Sequence, residues 1–597
     1  MSDTASNNSG TGKGVGSKAA LQGVGYLLVT IVLIALALTT TFSAYTLNLL
    51  MQISTWAIAV LGLTVVLGYT GQVNLGQATY VAIGAYGVAL GTTSFGLPFW
   101  VAFLVGLVLA AITGAVLGLT TLHLGGHYLA MVTISLQTIL SLVLTNWISF
   151  THGPDGVQGI PRPPHFASSN AYLALSIAVL AVVAYGVNWL KYTKLGRAMQ
   201  ATRDNELAAG VVGVDTYRSK VIAFIICALL GATGGGLFAG GFSYISPDQF
   251  SFSESVVFLT MCLLGGSRLP LGTVFGTGLL IMLPEWLRFL KIIYMAVYGL
   301  AVILIMVFMP DGIFGYLAAL WRRLRPPPAP STVGLAPLQL SQQTNGDGSR
   351  ALLKVSGLAK HFGGVKAVDG VDMVVEKNSV HALIGPNGSG KTTLLNVLSG
   401  IYRPTSGTVE FDGADITHLN PSQRAGHGLG RTFQNIRLFA DMDVLDNVRV
   451  GADRPHNVVN GKPAGMEGTL AALEFVGLAV RSREAVNSMS YGHQRLVEIA
   501  RALAGNPKLL LLDEPGAGLN HVEKDALVVL LQRLKAQGLT ILIIDHDMRL
   551  VEQVAERITV LNFGRHIADG VPAEVLRNPD VIAAYLGKVG AHATPGN

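Results

Sequence analysis

The chain is 597 residues long, half of them apolar and only 13% charged, against about 25% charged in ordinary soluble domains, so some region must be nearly emptied of charge. The formal charge of +6 comes from cations scattered through loops and not gathered in a stripe, which argues against nucleic acid as a partner. Cys227 and Cys262 both lie inside apolar runs without ligand-like spacing, which argues against a disulfide framework and a zinc site.

Residues 1–20, rich in Ser, Gly and Asn, show no small-residue cleavage site behind a short apolar core and read as a disordered cytoplasmic tail. Between Lys18 and Asp155 there is no Asp, Glu, Lys or Arg. Apolar runs at 23–43, 46–68, 77–93, 98–121, 127–148, 170–190, 219–241, 254–267, 270–287 and 291–310 predict about ten transmembrane helices. Residues 21–325 are therefore expected to form a polytopic all-α membrane domain in the lipid bilayer. The pair 254–267 and 270–287 and the Gly-rich segment 68–78 could be broken or re-entrant pieces.

Cations set the orientation, because Lys and Arg near helix ends stay on the cytoplasmic side. Lys191, Lys194, Arg197, Arg203, Arg218 and Lys220 crowd one loop, and Arg322, Arg323 and Arg325 follow the last run. Segment 149–169 carries only Asp155 and Arg162 and is placed outside. Both termini then come out cytoplasmic. The stretch from Lys194 to Lys220 mixes charged and apolar residues at helical spacing. It is either a solvated surface helix or a docking helix for a soluble domain on the same side.

After Arg325 the composition turns to Pro and then to Ser, Gln, Thr, Asn and Gly, giving a linker over 326–350. From 351 to 587 short β-type runs, VHALIG, KLLLLDE and TILIIDH, alternate with helical segments. This is the α/β pattern of a mostly parallel sheet; residues 588–597 read as a second disordered tail. GPNGSGKT, Gly385 to Thr392, follows the first of these strands and opens a helix, the strand–loop–helix setting of a phosphate-binding P-loop. Gly385, Asn387, Gly388, Ser389, Gly390 and Thr393 belong to a cradle of backbone N–H groups at a helix amino terminus. Lys391 should reach the β and γ phosphates of ATP, and Thr392 offers a hydroxyl to Mg²⁺. LLLLDEP sets Asp513 and Glu514 at the end of an apolar strand, as a magnesium partner and a general base for water attack. His546, after the next strand, is placed to contact the γ-phosphate.

MSYGHQ, Met489 to Gln494, resembles the signature that in ABC transporters otherwise reads LSGGQ, upstream of LLLLDEP at that family's spacing. The soluble half is thus similar to an ABC nucleotide-binding domain. The resemblance implies that Ser490 and Gly492 contact nucleotide, that Gln434 in RTFQN is the Q-loop residue serving catalysis and Mg²⁺, and that Phe362 stacks on adenine. GLN at 518–520 matches the D-loop. Tyr491, His493 and Asn520 depart from the general pattern; the Tyr and Asn are features of the branch serving hydrophobic amino-acid uptake, and His493 has no assignment.

GYTGQVNLGQATYVAIGAY (68–86), THGPDGVQGIP (151–161), GRAMQATRDNELAAGVVGVD (196–215) and GGSRLPLGTVFGT (265–277) resemble permease motifs of high-affinity branched-chain amino-acid ABC importers. The first half is LivM-like and the second LivG-like. The resemblance implies ATP-driven uptake of leucine, isoleucine or valine across the bacterial inner membrane. It also implies a periplasmic substrate-binding protein, a second permease subunit (LivH-like) and a second ATPase subunit (LivF-like). The nearly uncharged permease suits a small neutral or zwitterionic solute; urea, short amides, other amino acids and aromatic acids are alternatives. An exporter half would have six long helices extending into the cytoplasm, and a non-transporting regulator a large outside domain.

Overall fold

The computed structural model describes residues 28–40, 42–121, 126–287, 294–309, 311–324, 338, 351–454, 458–459, 462–463 and 465–586. The tails 1–20 and 588–597, and the linker 326–350 apart from Leu338, lie outside the described residues. Two compact units are present: Met1–Met199 with Tyr217–Pro326, and Gln200–Thr216 with Pro327–Asn597.

In the first unit each apolar run is mostly helical where it is described. Ala44–Tyr69, Phe99–Thr120, Tyr128–Asn146, Ser169–Lys191, Thr216–Phe242 and Pro270–Leu287 are long and apolar enough to cross a membrane. The expected count of about ten crossings is not confirmed: six helices among the described residues meet the length. Phe252–Gly265 and Gln77–Thr93 are shorter, and of the runs 23–43 and 291–310 the helical residues described are Leu28–Thr39 and Tyr294–Phe308. At about 1.5 Å rise per residue Gln77–Thr93 and Phe252–Gly265 fall short of a hydrocarbon core about 30 Å thick.

Composition explains how these helices sort. Phe99–Thr121 is apolar all round, and it leaves Leu104, Val108, Ile112 and Leu119 exposed, as a lipid-facing surface requires. Gln77–Thr93 is instead buried along most of its length. It packs against the Gly-rich helix Thr216–Phe242 at backbone contact: a Cβ on Gly235 would collide with the Val81 carbonyl, and one on Gly84 with that of Ala232. Small residues permit this approach.

Between the π-helical turn Thr64–Tyr69 and the helix at Gln77 the chain is non-helical, as the Gly-rich segment suggested. Protein satisfies the freed polar groups. Leu75 N–H donates to Thr133 Oγ1 (3.2 Å), Gly76 N–H to Asn74 Oδ1 (2.9 Å) and Ala78 N–H to Ser255 Oγ (3.0 Å), while Gln77 Nε2 donates to the Ala59 carbonyl (2.7 Å). Broken helices survive at membrane depth only on this condition. At one end of the unit Val157–Gln158 pairs antiparallel with Tyr244–Ile245, and Arg162 donates to the Gly241 carbonyl (2.8 Å) and to Ser169 Oγ (2.9 Å).

The second unit holds a six-stranded sheet in the order 565–570, 557–562, 380–384, 540–544, 509–513, 429–431. All neighbours are parallel except the edge pair 557–562 and 565–570. A four-stranded antiparallel sheet, 365–376, 351–362, 406–411 and 414–415, lies beside it. Strand alternation divides the core: Leu509 and Leu511 join Leu383, Leu394, Val355 and Val371, whereas Leu510 and Leu512 join Val497, Leu503, Leu527 and Leu531. Burial on both faces explains why the strands read as unbroken apolar runs. Loops at the carboxyl ends of parallel strands are where ligands of open α/β sheets bind. Gly385, Glu514 and His546 all follow such ends, as does Gln434.

Candidate functional site

The strand Val380–Ile384 is wholly buried and leads directly into the loop before the helix Lys391–Leu398. Gly388 and Gly390 have φ of +79° and +99°, which only glycine adopts without strain. At Gly385 a Cβ would strike the Leu561 carbonyl. Asn387 and Thr392 are exposed and Ser389 is buried, with Thr393 half-buried. Lys391 Nζ donates to the carbonyls of Gly385 (2.7 Å) and Pro386 (2.9 Å), so its ammonium lies over the loop. Burial pulls it below the ordinary lysine value, and the charges of Glu514 and Asp513 oppose that shift.

Glu514 has φ of +46°, a strained angle for a non-glycine residue, held by its N–H donating to the Ile544 carbonyl (2.8 Å). The turn sends its carboxylate away from the strand end. Gln434 Nε2 donates to Glu514 Oε2 (3.0 Å) and His546 Nδ1 lies 3.5 Å from the same oxygen. The three residues expected to act on the γ-phosphate and attacking water therefore converge from three strand ends. Among the described residues, Phe362, Ser490 and Gly492 form no hydrogen bond with this cluster.

Asp513 is buried, with Arg431 Nη2 3.4 Å from its Oδ2. Burial raises its carboxyl above the usual range against the pull of Arg431. Its Oδ1 has no hydrogen-bond partner among the described residues. An orphaned buried carboxylate oxygen, with an exposed Thr392 hydroxyl and the Gln434 amide oxygen, makes an oxygen donor set that fits Mg²⁺, which takes one or two carboxylates with its phosphates.

Phe362 ends the strand Ala351–Phe362 and is 44% exposed, leaving a ring face for a base. Tyr402 meets it edge-on at 5.4 Å, and Lys360 Nζ stands 5.1 Å from its centroid.

Ser490 is the N-cap of the helix Tyr491–Ala504, and its Oγ lies 2.6 Å from His493 Nδ1. Tyr491 packs on Gly518 and accepts from Arg495 Nη2 (3.3 Å). Asn520 caps the helix His521–Ala536 in a reciprocal box with Glu523, a task that its amide oxygen performs as well as a carboxylate would.

Several participants escaped the sequence reading. Arg495 donates to the Phe433 carbonyl (2.5 Å) and the Gln434 carbonyl (2.8 Å) and pairs with Glu498 (2.8 Å). Glu498 Oε1 accepts from the N–H groups of Phe433 (3.2 Å) and Arg437 (3.5 Å). Burial raises the Glu498 carboxyl and brings Arg501 down to about 10. Removing one partner of such a pair costs about 3–5 kcal/mol, so the Q-loop is firmly tied to the signature helix. The i,i+3 spacing of Arg495 and Glu498 was the available signal. Tyr585 Oη accepts from the Gly385 N–H (2.8 Å); nothing in the sequence marks that long-range bond.

The segment from Gln200 to Thr216 belongs to this same unit. Arg203 forms an ion pair with Asp441 and donates to Asp204 Oδ1 (2.9 Å), and Asp204 Oδ2 accepts from the Asp441 N–H (3.0 Å). Burial raises the Asp204 carboxyl despite these bonds. Asn205 caps the helix Glu206–Val211, and Gly213 abuts Arg454. Of the two readings of this stretch, docking on the α/β domain is the one observed.

Residues 45–309 match the family model for the permease component of branched-chain amino acid transport systems. Residues 368–517 match the ABC transporter model, and 565–591 that of the branched-chain amino acid ATP-binding cassette transporter. The chain is 43% identical over 253 residues to the high-affinity branched-chain amino acid transport ATP-binding protein BraF of Pseudomonas aeruginosa, covering 40% of this chain and 99% of that protein. It is 39% identical over 253 residues to the corresponding LivG protein of Escherichia coli K12, again 40% of this chain and 99% of that one. A solved nucleotide-free ATP-binding cassette from an ABC transporter aligns at 34% identity over 40% of this chain and 100% of its own, with a TM-score of 0.37. With a permease region and an ATP-hydrolysing region in one polypeptide, the chain belongs to the ABC transporters of the branched-chain amino-acid transport family.

Proposed function

We propose that the chain is the fused permease and ATPase subunit of a binding-protein-dependent importer that moves leucine, isoleucine or valine into the cell across the cytoplasmic membrane. The convergence of Gln434, Glu514 and His546 at three strand ends carries the catalytic part of this reading. The similarity to BraF and LivG, branched-chain amino acid transport ATP-binding proteins, supports the substrate class.

Two ATPase domains close head to tail, each ATP lying between one P-loop and the signature residues Ser490 and Gly492, or their equivalents, of the other domain. Lys391 and the loop N–H groups bind the phosphates, and Phe362 takes the adenine. Thr392, Asp513 and Gln434 would hold Mg²⁺, which when bound neutralises phosphate charge. Glu514 takes the proton of the attacking water, and His546, sharing its carboxylate, senses the γ-phosphate. Catalysis is mostly positioning and electrostatics. Movement of the Gln434 loop reaches Asp441 and from there Arg203 and Asp204, in the segment that precedes the helix Thr216–Phe242. A second permease subunit, a second ATPase subunit and a periplasmic binding protein complete the assembly.

The test is ATP-dependent uptake of labelled leucine, isoleucine and valine into vesicles holding the full complex, with and without solute-loaded binding protein. Uptake and ATPase activity should both depend on the loaded protein; ATPase indifferent to it would overturn the importer reading. Glu514→Gln should bind ATP and lose about 10²–10⁴-fold in turnover, and an undiminished rate would remove Glu514 from its role.

A further inference from the structure

We propose that His493, which replaces the glutamine of the general signature, is a positioning residue whose proton sets the direction in which the Ser490 hydroxyl donates. The inference rests on the head-to-tail reading above and deepens it.

Ser490 Oγ has two acceptor lone pairs and one proton. His493 meets this oxygen twice: its backbone N–H donates at 3.4 Å as the helix cap, and its imidazole Nδ1 stands at 2.6 Å. One lone pair is thus committed to the backbone, and the imidazole decides the rest. With Nδ1 unprotonated, its lone pair takes the hydroxyl proton and Ser490 cannot donate outward. With Nδ1 protonated, both lone pairs of Oγ are filled and the hydroxyl proton is left to point away. Ser490 is exposed, so that proton is available to a phosphate oxygen held by the partner domain. Either the Nδ1–H tautomer or the imidazolium supplies the Nδ1 proton that leaves the Ser490 hydroxyl in this direction.

Charged and titratable neighbours of this turn are assigned elsewhere. Glu523, from the helix His521–Ala536, lies against Gly492 and accepts from the Asn520 N–H (3.0 Å). On the same helix as His493, Arg495 is turned to the Phe433 and Gln434 carbonyls and to Glu498, and the Tyr491 hydroxyl accepts from Arg495.

The experiment uses the full chain assembled with its partner subunits in lipid nanodiscs, with kcat and KM for ATP measured for four forms: wild type, His493→Asn, His493→Leu and Ser490→Ala. His493→Leu removes the partner of the Ser490 hydroxyl and should lose about tenfold in kcat/KM, and His493→Asn, which keeps a donor near the Nδ1 position, should recover most of it. His493→Leu at the wild-type rate, or His493→Asn as impaired as His493→Leu, with Ser490→Ala inactive, overturns the role of His493 alone. Ser490→Ala at the wild-type rate sinks the head-to-tail reading itself. If His493→Leu does not assemble, His493→Ala takes its place with the same expected loss and rescue.

Discussion

Glu514 adopts a left-handed backbone angle that costs about 1–3 kcal/mol at a non-glycine position, and that turn separates its carboxylate from the neighbouring Asp513. Two adjacent acids thereby acquire different surroundings: Asp513 stays buried against Arg431, and Glu514 is turned to Gln434 and His546. Their adjacency at a strand end was legible in LLLLDEP; the divergence was not, because it depends on one dihedral angle and on the Ile544 carbonyl of the next strand. Tyr585 is the complementary case, a single hydroxyl reaching the P-loop from a helix about two hundred residues later. Tyr585→Phe removes the acceptor of the Gly385 N–H, and leaving a donor unsatisfied costs about 1–3 kcal/mol. ATP affinity of the assembled complex should weaken roughly five- to tenfold with kcat little changed. Nucleotide titration checks this; unaltered affinity would make the bond incidental to binding.

The helix Lys194–Asp204 and its continuation Glu206–Val211 show how an element gains a role from its neighbours. Its mixed pattern fitted a solvated helix as well as a docked one. The Arg203, Asp204 and Asp441 group settles the matter with charge-assisted bonds, each worth about 1.5–3 kcal/mol. Arg437 and Asp441 lie in the same short loop after Gln434, so the contact lies close to the Gln434 carboxamide in sequence, and that loop is tied to the signature helix through Glu498. Arg203→Ala should leave ATP binding at the wild-type level and reduce solute uptake per ATP hydrolysed by about tenfold. Uptake and phosphate release measured in the same vesicles give that ratio, and unchanged coupling would reduce the contact to a structural one.

At the scale of the whole chain, the charge map and the strand pairing agree. The segment 149–169, placed outside because it carries a single Arg, pairs with Tyr244–Ile245, and the two long helices between them in sequence, Ser169–Lys191 and Thr216–Phe242, descend and return. In sequence the cation-rich stretch from Lys191 to Lys220 joins those two helices. Cys227 and Cys262 are both buried, so introduced cysteines can be read against a quiet background. With Asp155→Cys and Asp215→Cys, both at exposed positions, a membrane-impermeant thiol reagent applied outside intact cells should label the first and spare the second. The reverse pattern would place the ATPase half on the wrong side of the membrane.

Spacing and composition determined where the P-loop, the acidic strand end, the signature and the apolar helices lie, because each is specified by a local pattern that no distant residue can supply. About ten apolar segments were legible for the same reason, and the helices Gln77–Thr93, Phe99–Thr121, Ser169–Lys191 and Pro270–Leu287 keep the bounds of their runs to within a residue. Whether Gln77–Thr93 meets lipid or protein depends on the small faces of Gly84 and Gly235 and on what packs against them. The hold of Arg495 on the Q-loop, the bond from Gly385 to Tyr585 and the pairing of Arg203 with Asp441 likewise join residues far apart in the chain. Such contacts are fixed by strand order and helix packing, so only the tertiary structure decided them.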